Sequence, residues 1–285
     1  IERWVGRITA PIESDNKIQL IKEYLNRNHE YKTGKINYKD EMLVFLPDDF
    51  GCVVPAHTRP APPPSLSGGD VGDAINVSES SMGPEECSEG AKKNIAETYF
   101  FDSNLINPLV YGLGDNAYLK QMYLSEIKKP YSVVFMNAHG THIGHSPSVN
   151  YNDIKTSNPK SMFFKLVSCA IGAPNRENNI AQWYLFSGEA LIVSARSVTI
   201  MAGSVARAGL GLWEMRILAM GGRIYEAYPT TNYQTLLGDP TLKIKKIYAD
   251  CNLVFSNDFI DFGTVSYPLY IPEEEDRILY IKNIG

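Results

Sequence analysis

Ser132-Val-Val-Phe-Met136 runs into Asn137-Ala138-His139-Gly140, and Met162-Phe-Phe-Lys-Leu-Val167 runs into Ser168-Cys169. Each stretch is a short apolar run closed by small or polar residues, the pattern of a strand buried on both faces of a parallel sheet. His139 and Cys169 lie 30 residues apart, about the length of one strand-to-strand crossover. A right-handed crossover puts both strand ends on the same rim of the sheet. Ligand and active sites form along the carboxyl ends of such strands.

The same alternation extends outward. Strands are expected at Val5 to Ile8, at Met42 to Leu46 (closed by Pro47-Asp48-Asp49), and at Ala190-Leu-Ile-Val-Ser194. Helices are expected between them. Asp15 caps one that carries Ile18, Leu20, Ile21, Tyr24 and Leu25 at helical spacing. Asp115 to Lys129 is a second, stopped by Pro130. Asn179 to Phe186 and Ser204 to Met220 complete the set. Strands alternating with helices define an α/β domain whose mainly parallel sheet is covered by helices on both faces. Residues 53–92 break the pattern with Pro60-Ala-Pro-Pro-Pro64 and many Ser, Gly, Glu and Asp residues. Such a composition buries too little apolar area to offset its ordering entropy, so a long, mobile surface loop is expected. Asn76-Val77-Ser78 matches a glycosylation acceptor, a pattern too short to carry weight.

The chain has 285 residues, 44% of them hydrophobic, enough for one large α/β domain and its core. Its 27 basic and 32 acidic residues leave a net charge of −5. That is the wrong sign for a nucleic-acid partner. No apolar run reaches membrane-spanning length. The chain begins at Ile1 without a signal peptide, as expected of a fragment or a processed form joined to other domains of a longer protein. Four cysteines occur, at 52, 87, 169 and 251, without a Cys-x-x-Cys pair. A zinc ribbon or thioredoxin motif is thereby excluded, while two disulfides stay open. Cys52, Cys87 and Cys251 read as ordinary buried or surface thiols.

His139 and Cys169 are complementary in chemistry. A thiol is a poor nucleophile until it becomes thiolate. A neighbouring imidazole takes that proton and later returns it to a leaving amine. Gly140 presents no Cβ to a substrate, and its N–H with that of Cys169 makes a candidate oxyanion hole. One such donor is typically worth roughly 3–4 kcal/mol in the transition state. The plainer alternatives are a hydrogen-bonded histidine at a strand end and a cysteine that belongs to the core.

Phe135-Met-Asn-Ala-His-Gly140 and Leu166-Val-Ser-Cys-Ala-Ile-Gly172 resemble the His-Gly and Cys motifs of gingipain-type peptidases, family C25 of the caspase-like clan. Ile180-Ala-Gln-Trp-Tyr-Leu-Phe-Ser-Gly-Glu-Ala-Leu-Ile-Val-Ser194 resembles the helix and strand after the nucleophile there. Leu236-Leu-Gly-Asp-Pro-Thr-Leu242 resembles the usual ending of that domain, and Val5-Gly-Arg-Ile8 its entry. The resemblance covers residues 1–247 apart from the Pro-rich insertion. It implies a cysteine endopeptidase acting on protein or peptide substrates, with His139 as base and acid, Cys169 as nucleophile, and a thioester acyl-enzyme. No cofactor is needed for that chemistry. Some relatives bind structural calcium, but no ligand is assignable here, and Asp48 and Asp49 read better as turn caps. The resemblance puts the substrate pocket near Ser194 and Arg196, although Arg196 reads more readily as a surface or salt-bridged residue.

His139, His142 and His145 are spaced by three and interleaved with Gly140, Gly144 and Pro147. This reads as a rim loop beyond His139 rather than as a metal site, since helical ligand pairs sit four apart. Residues 248–285 are β in character: Phe259-Ile-Asp-Phe-Gly-Thr-Val265 and Ile278-Leu-Tyr-Ile-Lys-Asn-Ile-Gly285 alternate imperfectly. They resemble the opening strands of an immunoglobulin-like module of the abnormal-spindle/hydin type, which implies a secreted or cell-surface bacterial protein. Two alternatives stand beside the active peptidase: an inactive caspase-like scaffold that binds peptide, and an intracellular CHAT-type protease.

Overall fold

The computed structural model describes residues 6–47, 83–99, 103–173, 175–199, 224, 234–244, 253–254 and 282–283. Contacts divide the chain into residues 1–247 and 248–285. In the second unit the described residues are two short strands, Leu253–Val254 and Lys282–Asn283, paired antiparallel.

The first unit is built on a six-stranded sheet. In chain order its strands are β1 (Lys39–Leu46), β2 (Ile106–Val110), β3 (Tyr131–Asn137), β7 (Phe163–Val167), β8 (Ile192–Arg196) and β9 (Gln234–Gly238). Their spatial order is β2-β1-β3-β7-β8-β9. All neighbours are parallel except β9, which runs antiparallel to β8 at one edge. Between β3 and β7 lie three two-residue strands, β4 (Gly140–Thr141), β5 (Gly144–His145) and β6 (Val149–Asn150), which form a small antiparallel sheet. The helices are α1 (Lys17–Lys32), α2 (Pro84–Tyr99), α3 (Asn116–Glu126), α4 (Tyr151–Ser157) and α5 (Ile180–Phe186).

Period-two alternation divides the core between the two faces. Leu43, Phe45, Val134, Met136, Phe164, Leu166, Val193 and Ala195 enter one cluster, with Tyr24 of α1, Leu119 and Tyr123 of α3, Ile154 of α4 and most of α5. Met42, Val44, Val133, Phe163 and Ile192 enter the other, with Cys87 and Ala91 of α2. The expected α/β architecture, a mainly parallel sheet covered on both faces, is therefore present.

Several expected elements differ in detail. Val5 to Ile8 is not a described strand: Arg7 makes a single bridge to Leu237. Asn16, not Asp15, holds the N-cap of α1, without a side-chain capping bond. Asp115 does cap α3, accepting from the Tyr118 amide at 2.7 Å. β8 lies two residues later than expected at its start and end. The segment read as loop to residue 92 is helical from Pro84 onward. A proline at the first helical position and two acids behind it, Glu85 and Glu86, suit a helix start. The helix expected at Ser204 to Met220, and the rest of the Pro-rich insertion, lie outside the described residues. Cys87, read as an ordinary thiol, is disulfide-bonded.

Candidate active site at the carboxyl rim of the sheet

β3 and β7 are adjacent and parallel, with Asn137 paired to Val167 at their carboxyl ends. The Ala138 amide extends that pairing to the Val167 carbonyl at 3.1 Å. His139 and Cys169 each follow the last pair by two residues, so they occupy equivalent places on neighbouring strand ends. His139 is exposed and Cys169 half-buried. Cys169 is not part of a disulfide, unlike Cys87.

The flanking residues bring the two loops into contact. A Cβ added to Gly140 would collide with Ser168 Oγ, and would stand 2.7 Å from the Gly144 carbonyl and 3.0 Å from His145 Cβ. The residue after His139 thus packs directly on the residue before Cys169. Ser168 is buried, and its Oγ has no hydrogen-bond partner.

Beyond His139 the chain forms the β4–β5 hairpin, turning at His142-Ile143. The Ser146 amide donates to the His139 carbonyl at 2.8 Å, which makes His139–Ser146 a hydrogen-bonded pair. Gly140–His145 is the next pair and so of the non-bonded kind. The Gly140 N–H therefore points away from β5.

Beyond Cys169 the chain reverses. Ala170 takes φ +50°, the left-handed region that L-residues rarely adopt. Its amide donates to the Val198 carbonyl at 2.9 Å, and Gly172 donates to the Arg196 carbonyl at 2.6 Å. The chain thus runs back along the end of β8 and the residues that follow it. A Cβ on Gly172 would stand 2.6 Å from Ala195 Cβ and 2.9 Å from its carbonyl, so the close approach requires glycine there.

Both loops end on the first turn of α5. The Ile180 amide donates to the His142 carbonyl at 2.8 Å. Asn179 caps the helix by accepting from the Ala181 and Gln182 amides, and its Nδ2 donates to the Ala173 carbonyl at 2.6 Å. Glu13 braces the same turn, accepting from Trp183 Nε1 at 2.8 Å and from the Asn178 amide at 3.0 Å.

His145 belongs to the rim loop beyond His139 but turns into the core. It is buried in β5, against the rings of Phe45, Tyr123 and Tyr184. Its Nδ1 lies 2.7 Å from the Ser146 carbonyl and its Nε2 2.8 Å from Tyr184 Oη, which is itself 2.7 Å from Tyr123 Oη. Burial lowers its pKa to about 4, so the ring is neutral at pH 7. A carbonyl only accepts, so Nδ1 carries the proton and Nε2 accepts from Tyr184. Tyr184 in turn accepts from Tyr123. The useful sequence signal is two tyrosines on the buried faces of α3 and α5, since a buried phenol requires a polar partner. His142, by contrast, stands half-buried at the hairpin tip.

Ser194 is buried in mid-strand, opposite Lys165 on one side and Leu236 on the other. Arg196 ends β8, half-buried. Among the described residues no group of three or more His, Cys, Asp or Glu side chains could hold a metal ion, and no helix is long and apolar enough to cross a membrane.

This arrangement is a gingipain-like, caspase-like α/β fold. Solved structures that share it include a protease, with TM-score 0.57 and 9% identity over 92% of this chain and 59% of that one. The complex of the pro- and mature domains of Porphyromonas gingivalis RgpB is another, with TM-score 0.54 and 14% identity over 89% of this chain and 60% of that one. The Arg-specific cysteine proteinase gingipain R matches with TM-score 0.53 and 13% identity over 88% and 58%. This chain spans about three fifths of the length of each. No protein-family model and no curated protein sequence matches it.

Proposed function

We propose that the protein is a cysteine endopeptidase in which Cys169 is the nucleophile and His139 the general base and acid. The observation that carries this reading is their equivalent placement on the adjacent ends of β3 and β7, with Gly140 packed on Ser168 between them. His139 takes the thiol proton as Cys169 Sγ attacks the substrate carbonyl. The resulting oxyanion is held by the Gly140 and Cys169 amides. Collapse of the tetrahedral species breaks the C–N bond, and His139 delivers its proton to the leaving amine. Water, deprotonated by His139, then hydrolyses the thioester to a carboxylate and regenerates the thiol. Ser194 and Arg196 are retained as pocket candidates. The burial of Ser194 favours Arg196 of the two for contact with a substrate side chain.

A location outside the cytoplasm, on a bacterial surface or secreted, is part of this proposal. The disulfide at Cys87 supports that location, since disulfides persist in oxidising compartments. The immunoglobulin-like reading of residues 248–285 belongs to the same proposal. Structural calcium stays without assigned ligands, and no step depends on it.

The test is labelling with peptidyl acyloxymethyl ketones of varied sequence, read by mass spectrometry on wild type, Cys169→Ala and His139→Ala. Modification confined to Cys169 and abolished by His139→Ala is expected, and the best peptide reports the preference for the residue before the cut bond. If Cys169 reacts no faster with any peptide than with a simple alkylating agent, the peptidase reading falls. Peptide binding without labelling would then favour the scaffold.

A further inference from the structure

We propose that His145, Tyr184 and Tyr123 form a positioning relay that fixes the His139–Gly140 backbone over Cys169. The inference rests on the peptidase reading and deepens it. Directional hydrogen bonds, joined covalently through Ser146, connect the core to the backbone of His139. Tyr123 Oη donates to Tyr184 Oη at 2.7 Å, and Tyr184 Oη donates to His145 Nε2 at 2.8 Å. His145 Nδ1 donates to the Ser146 carbonyl at 2.7 Å. Ser146 returns through its amide to the carbonyl of His139, at 2.8 Å. The anchors are two different helices, α3 and α5, whose Tyr123 and Tyr184 are fully buried.

Three observations separate this relay from ordinary core packing. First, its end is the backbone of His139, not a remote loop. Second, His145 Cβ stands 3.0 Å from the place a Gly140 Cβ would take, so the ring's position and that of Gly140 are linked sterically. Third, α5 holds the same hairpin a second time, through the Ile180 amide and the His142 carbonyl. The hairpin is thus held both at its turn and on its returning strand. Catalytic groups need placement to within about 0.5 Å, and a displacement of about 1 Å in such a site costs about a hundredfold in rate. His145, Tyr184 and Tyr123 are positioning residues, acting through the backbone of His139 and Gly140.

The relay acts on the chemical step and not on the first encounter with substrate. The best peptidyl acyloxymethyl ketone is therefore used to split inactivation into its binding constant KI and its limiting rate kinact, with the active-site titre measured alongside. Tyr184→Phe keeps the ring, which lies 4.8 Å from that of Phe164, and removes the central hydroxyl. The expected result is kinact lowered by about tenfold or more, with KI within about twofold and the titre unchanged. Tyr123→Phe breaks only the outer bond and gives a smaller loss of kinact in the same direction, so the pair stays informative if Tyr184→Phe folds poorly. A reactive wild type with kinact within about twofold of it in both variants overturns the relay. So does a fall in titre or a rise in KI that accounts for the whole loss, since that is the signature of general core damage. A wild type inert to every peptide removes the peptidase reading itself, and the relay with it.

Discussion

Gly140 packs on Ser168, so the residue after His139 and the residue before Cys169 are in direct contact. Substituting Gly140→Ala drives a methyl group toward Ser168 Oγ and the Gly144 carbonyl, and the backbone oxygen cannot turn away. Overpacking of this kind costs about 1–3 kcal/mol. Gly140→Ala is expected to lower the denaturation midpoint accordingly and to reduce Cys169 labelling by more than tenfold. Labelling at the wild-type rate would show that the contact between the two loops has no bearing on the site.

His145 makes the protein acid-sensitive. Burial holds its folded-state pKa at about 4, below the unfolded value of about 6.5. The unfolded chain therefore binds the extra proton first, and stability falls as pH drops from about 6.5 through about 4. The full loss is about 3 kcal/mol. Urea denaturation between pH 7 and pH 4 is expected to show this slope, and His145→Gln to flatten it. An unchanged slope in His145→Gln would assign the acid sensitivity to other groups.

Asp239 contributes lower on the pH scale. Burial pushes its carboxyl up, but Lys32, Thr241 and Asn28 outweigh that and hold it at about 2. Lys32 Nζ lies 2.6 Å away, Asn28 Nδ2 2.8 Å and the Thr241 amide 2.8 Å. Its folded pKa is depressed, so its stabilisation is present above the ordinary carboxylate value and is lost as pH falls toward about 2. Asp239→Asn is expected to cost about 1–3 kcal/mol at pH 7 and less at pH 2. Equal costs at both pH values would contradict the ion-pair account.

Ala170 holds a left-handed backbone immediately after Cys169. That conformation costs an L-residue about 1–2 kcal/mol, while glycine adopts it without strain but loses about 0.5–1 kcal/mol more in entropy. Ala170→Gly is therefore expected to stabilise the fold by up to about 1 kcal/mol, read as a raised urea midpoint. Destabilisation would mean that the Ala170 methyl makes contacts worth more than the strain.

Much of this architecture was legible because long apolar runs carry their own signal. β1, β3 and β7 are buried on both faces, and their runs of Val, Leu, Met and Phe mark them. The edge strands were less visible. β2 contains Asn107 and Pro108, which break a strand pattern; an edge position tolerates proline because one side of the strand needs no ladder donor. β9 reads in the sequence as part of a motif and not as a strand. Its Gly238 takes φ +101°, and a Cβ there would collide with the Leu191 carbonyl, which gives the Leu-Gly-Asp-Pro turn its physical reason. His139 and Cys169 could be singled out because strand-end placement is readable from local sequence. His145 could not, because its role depends on tyrosines brought from two distant helices, and no local periodicity records that.

All seven residues of α5 are buried, and its first turn carries the ends of both rim loops. A loop tethered only to other loops can open by itself; one tethered to a core helix opens when that helix leaves the core. The amide of Ile180 should accordingly exchange hydrogen with solvent only through the global opening that exposes α5. The rim is thereby a poor place for tolerated insertions, and the protein has little room to adjust how it holds a substrate without adjusting how it folds.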